Sequence, residues 1–222
     1  MRSAIAIFSL GLGICTAQPV SVSIGAFSVP GDFDGMVHVL TAEKKTKPLQ
    51  LRKNSFSASM AVPTGKLELY KAVLDPVVAV AQVPLISIDL PADGLPCRVL
   101  IWSTSGENKK VTWHGRAYSS GKWPKSCMVL INLTSKAIEI ESGKLRKAIP
   151  AEGTFIFRGE KEKTGSPVKL YFVDPADSES VKLVFSSVWQ VPESHQEILV
   201  IRPGQSDGTV TMHSLLTKKS EN

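Results

Sequence analysis

The chain has 222 residues, 43% of them hydrophobic and 21% charged, with 16 Gly, 14 Pro and a formal net charge of +6. That apolar fraction excludes a disordered tail, and the length suits one or two domains of roughly 100–200 residues. After the first 17 residues no apolar run reaches about 18 residues, which excludes a membrane-spanning helix there.

Residues 1–17 read as a secretory signal peptide. Arg2 supplies the positive start, and residues 4–14 (AIAIFSLGLGI) form an apolar stretch too short to span a bilayer. Cys15-Thr16-Ala17 places small residues at the −3 and −1 positions, favouring cleavage after Ala17. An acylated Cys15 is disfavoured by the bulky Ile14 before it. Cleavage removes Arg2 as the one charged residue of the segment and leaves no membrane span. It also leaves Cys97 and Cys127, which in an exported chain are candidates for a disulfide. The strand from 98 to 103 runs away from Cys97, and its partner from 111 to 117 returns. The segment that leads to Cys127 therefore departs from the Cys97 end.

From residue 20 onward nearly every segment has strand character. Val20-Ser-Val-Ser-Ile24 alternates apolar and polar; Met36–Leu40 and 128–133 are short apolar runs; 49–52, 138–141, 169–173, 181–185 and 210–213 alternate with period two. Turn signals interrupt them at Pro30-Gly31, Pro63-Thr-Gly65, Ser105-Gly106, Ser142-Gly143, Pro203-Gly204 and Asp207-Gly208. The pattern predicts an all-β protein, a sandwich or a barrel. In the second half it puts strands near 128–133, 138–141, 145–149, 153–158, 168–173, 182–189, 196–202 and 209–216.

Five short matches recur in the same order in both halves. They pair 35–41 with 127–134, 61–65 with 148–153, 73–76 with 172–175, 99–101 with 199–201, and 111–114 with 210–213. They predict two tandem immunoglobulin-like β-sandwich domains related by internal duplication: 18–118, a linker 119–126, 127–217, and a tail 218–222. Period two then sends Val111, Trp113, Val210 and Met212 into the cores, and His114 and His213 outward.

Residues 128–134, Ile138-Glu-Ile140, Ile149-Pro-Ala-Glu-Gly153 and Val184-Phe-Ser-Ser-Val-Trp189 resemble a group of exported bacterial β-sandwich proteins of unknown function. That group has Asn-x-(Ser/Thr) late in its first strand and a Pro turn rich in Gly and Glu. A more remote likeness is to the periplasmic adaptor of alginate acetylation. The resemblance implies a fold and export, and brings no catalytic residues with it.

No catalytic, metal or cofactor motif is recognisable. There is no Gly-x-Ser-x-Gly elbow, phosphate-binding Gly loop or Cys/His cluster at zinc spacing. Asp32-Phe-Asp-Gly35 has two carboxylates, but it lacks the other ligands of a calcium loop and reads as a turn. His38 lies in an apolar strand, where a hydrogen-bonded structural histidine is expected. Asn132-Leu-Thr134 fits a glycosylation sequon within a strand and is set aside. Trp102 at a strand end and Trp123 in the linker could stack on sugar rings or join the domains; His114 and His213 are a possible duplicated ligand contact. The scattered lysines argue against nucleic acid and leave an envelope protein or an anionic polysaccharide as the partner. The expectation is a secreted or periplasmic, non-enzymatic binding or structural protein of the cell envelope. The rivals are a carbohydrate- or polymer-binding module and a hydrolase with an unrecognised site.

Overall fold

The computed structural model describes residues 18–43, 45–71, 83–105, 110–158, 165–174, 177–206 and 208–217. Residues 1–17, expected to be a signal peptide, the expected tail 218–222 and the 73–76 side of one repeat match lie outside them. Among the described residues all regular structure is β. The first half contributes β1 (Val20–Ala26), β2 (Met36–Leu40), β3 (Thr46–Gln50), β4 (Met60–Val62), β5 (Lys66–Tyr70), β6 (Ile86–Asp89), β7 (Cys97–Ser105) and β8 (Val111–Ser119). The second contributes β9 (Cys127–Asn132), β10 (Ile138–Ser142), β11 (Leu145–Ile149), β12 (Thr154–Phe157), β13 (Ser166–Asp174), β14 (Asp177–Trp189), β15 (Gln196–Pro203) and β16 (Val210–Leu216).

These strands make four sheets, ordered β3-β2-β5-β6, β4-β1-β7-β8, β12-β9-β15-β16 and β11-β10-β13-β14. Side-chain parity shows how they stack. On β7, Val99 and Ile101 face a core shared with Val37, Val39, Leu67 and Leu69. Leu100 between them faces the opposite way, onto Val129, Ile131, Ile198 and Val200. On β9 and β15 the alternate residues Met128, Leu130, Leu199 and Ile201 join Ile138, Ile140, Val168 and Leu170. The molecule is therefore a four-layer stack whose two central sheets are covered on both faces. This explains why β9 reads CMVLIN and is buried at every position. A strand sandwiched on both sides has no polar face to show in its sequence.

Adding eight to each strand number converts the first half's sheets into the second's. The rule includes an unusual parallel pair, β1 with β7 and β9 with β15. Phe27 N–H donates to the Ile101 carbonyl, and Leu133 N–H donates to the Ile201 carbonyl at the equivalent point. This correspondence corrects part of the motif alignment. Met36–Leu40 is β2 and matches β10, whereas 127–134 carries β9, which matches β1. Likewise 61–65 begins in the end of β4, but 148–153 begins in the end of β11. Short apolar strands with Pro turns look alike, so period two carries no strand identity. The matches at 99–101 and 111–114 do fall on equivalent strands.

The strand partition also differs from the immunoglobulin one. That fold groups its first, second, fourth and fifth strands in one sheet. Here the first strand lies with the fourth, seventh and eighth.

The halves meet through Phe27, Phe56 and Leu100 on one side and Cys127, Val129, Ile131, Ile198, Val200 and Leu215 on the other. Gly25 allows this approach: a Cβ there would sit 2.8 Å from the Phe56 ring and 2.9 Å from Leu215. The connection between halves is tied down, with Ser120 N–H donating to Pro96 O and Gln196 Nε2 donating to Pro124 O. Asn132, fully buried, locks the turn after β9. Its Nδ2 donates to the carbonyls of Lys136 (2.8 Å) and Pro150 (2.9 Å), and its Oδ1 accepts from Thr134 N–H and Oγ1–H. The buried amide is thereby satisfied.

Candidate binding clefts

Three of the aromatic residues singled out by the sequence come together. Trp102 on β7 and His114 on β8 are directly paired across the hairpin. Their rings stack at 5.6 Å and 16°. Phe27 stacks on Trp102 at 5.6 Å and 16°, and His213 tilts against Phe27 at 5.1 Å. The result is one ladder, His213–Phe27–Trp102–His114, between the two central sheets. The expectation that both histidines point outward holds only relative to their own sandwich. The other half covers that outward face, so they line the interface. His114 Nε2 and the Thr104 hydroxyl share a hydrogen bond of 2.9 Å. Burial holds His213 below its ordinary pKa, with Arg202 and Lys53 adding to the effect. Trp102 is used by this packing, as an inter-domain tryptophan would be.

Trp113 has two roles. It packs against the first core as the β8 alternation requires. It also meets Phe33 edge-to-face at 4.9 Å and 64°. Both rings line a cleft of about 380 Å³ with Asp32, Asp34, Met36 and Lys71. The loop is a turn, with Phe33 N–H donating to Pro30 O and Met36 N–H donating to Asp34 Oδ1. Among the described residues no group of three His, Cys, Asp or Glu side chains is placed to hold a metal ion. Aromatic walls with a few convergent polar groups are the usual make-up of a small-ligand site. Period two places Trp113 in the core and the Asp loop reads as a turn, but the cleft has no local signature, because nothing in either segment reports that this loop lands on β8.

Trp123 stands apart from the ladder. It lines a separate cavity between the end of β8 and the β11–β12 turn. The remaining histidines show different surroundings. His38 Nδ1 is buried without a partner, which corrects the expected hydrogen-bonded state. His195 is half-buried in the loop before β15.

Cys97 and Cys127, the candidates for a disulfide, are both free and buried in the structure. Cys97 belongs to the core of the first sandwich and Cys127 to the core between the halves, on different sides of the β4-β1-β7-β8 sheet. The β4-β1-β7-β8 sheet lies between the two side chains. Each S–H instead donates to a nearby carbonyl, Leu95 O and Pro124 O, both at 3.3 Å. Burial raises both thiol pKa values.

The fold and clefts define a protein of paired β-sandwich layers with aromatic-lined surface sites. Compared with known proteins, the chain matches no family model and no curated sequence.

Proposed function

We propose that the protein is an exported, non-enzymatic binding protein that takes a carbohydrate ring at the Phe33–Trp113 cleft. The observation that carries this reading is the composition of that cleft. Two aromatic rings meet at 4.9 Å, flanked by Asp32, Asp34 and Lys71. Aromatic faces suit the C–H surface of a sugar, while carboxylates and an ammonium suit its hydroxyls. The leader-like segment 1–17 supports export, and the scattered basic residues suit an envelope polymer as partner. The shared strand order, with its repeated parallel pair, supports origin by duplication into two sandwich units, 18–118 and 127–217.

Saturation-transfer NMR against a panel of neutral oligosaccharides tests the reading. Ring protons of at least one sugar should receive magnetisation from the protein, and Trp113→Ala with Asp32→Asn should abolish it. A panel without a binder, or binding untouched by both changes, would overturn the assignment.

A further inference from the structure

The second cavity, of about 320 Å³, is lined by Arg116, Tyr118, Ser119, Trp123, Glu152 and Thr154. It is built from both halves: β8, the connecting segment and the β11–β12 turn. The Arg116 guanidinium lies 5.7 Å from the Tyr118 ring centre and is paired with Glu152 at 3.1 Å. The Tyr118 hydroxyl is buried and has no partner. Burial pushes its pKa up to about 12, against the opposing charge of Arg116 and with a smaller upward push from Glu152, so it remains a donor at physiological pH.

We infer that this cavity is a binding site for a carboxylate-bearing sugar, such as a uronate residue of an acidic polysaccharide, and that Glu152 is an internal competitor for its anion seat. Trp123 and Tyr118 provide aromatic walls for the ring. Arg116 provides a planar fork matched to a carboxylate, and the Tyr118 hydroxyl offers a donor with no acceptor of its own. The Arg116 and Glu152 side chains are 40% and 70% exposed, so their pairing is a surface ion pair of small worth. Exchanging one carboxylate for another across Arg116 therefore costs little, and the ligand adds ring contacts that Glu152 cannot supply. The site is separate from the Phe33–Trp113 cleft and stands whether or not that cleft takes sugar.

The test is calorimetric titration of the full chain with a galacturonic acid trimer and, in parallel, a neutral galactose trimer. The acidic trimer should bind and the neutral one should bind at least tenfold more weakly, the difference expected of a charge-assisted contact. Glu152→Gln should raise affinity for the acidic trimer about two- to fivefold, the range of an exposed ion pair, and leave the neutral trimer unchanged. Arg116→Gln should lower it at least tenfold. Tyr118→Phe removes no internal hydrogen bond and should weaken binding with an unchanged melting temperature, which separates a ligand contact from a fold defect. No binding by either the wild type or Glu152→Gln at millimolar ligand, or a weaker Glu152→Gln, would overturn the proposal.

Discussion

Asn54 and Glu152 occupy the same place in the two halves. Each lies two residues before the residue, Phe56 or Thr154, that pairs with the penultimate position of the first strand or its counterpart, Gly25 or Ile131. Each adopts a left-handed backbone, with φ of 60° and 57°. Each also reaches the last strand of the opposite half. The Asn54 carbonyl accepts from Leu216 N–H, and the Glu152 carboxylate pairs with Arg116. One turn thus serves twice as the clasp between halves.

A backbone prediction follows at Asn54. Asn tolerates the left-handed region better than most residues, and Gly tolerates it without strain. Asn54→Ala should destabilise by about 1 kcal/mol, and Asn54→Gly by less. Urea midpoints of the two variants check the order; equal midpoints would mean that the φ of 60° carries no cost.

Gly25 should not tolerate a side chain. Its added Cβ would meet Phe56 and Leu215 within 3 Å, in the core that joins the halves. Gly25→Ala should cost about 1–3 kcal/mol by overpacking. Combining it with Phe56→Leu should recover part of that loss, which a double-mutant cycle in urea would read as coupling.

Stability should depend on pH through His213. Burial lowers its pKa from the ordinary 6.5, so the unfolded chain takes up a proton before the folded one does. The contribution of the neutral ring is complete above about pH 6.5 and is lost as pH falls below it. Melting temperatures measured between pH 7.5 and 5 should therefore fall on the acid side. His213→Asn should flatten that slope, and an unchanged slope would remove His213 from the account.

The thiols give a fourth prediction. In protein lacking residues 1–17 and never exposed to reductant, a thiol reagent should react slowly with the native state and should titrate two thiols after denaturation. Finding none would mean that Cys97 and Cys127 are bridged despite their separate cores.

The sequence and the structure agree where a strand has one wet face. Ile138–Ser142 alternates Ile and Glu and is buried at alternate positions. Turn residues mark the ends of most second-half strands closely. The alternation misleads where the other half supplies the boundary that solvent would otherwise make. His213 looks outward on its own strand and is covered only because another sheet lies over it. Strand identity was equally hidden, since Met36–Leu40 and β9 are both short apolar runs and only their hydrogen-bond partners distinguish them. Trp102, His114 and His213 pack in one ladder with Phe27, which has no local signature in the sequence. Trp123 was placed at the junction by its linker position, whereas its cavity depends on Arg116 and Glu152, 36 residues apart in the chain.

The shared middle core sets a condition on synthesis. Phe27, Phe56 and Leu100 belong to the first half but are buried by residues from 127 onward. A chain that emerges N-terminus first supplies them only after the whole first half has appeared. Throughout that delay a completed first sandwich presents a greasy flank to its surroundings. A chain stalled or clipped near residue 120 would keep that flank permanently, making the truncated product a natural substrate for holdase chaperones and proteases.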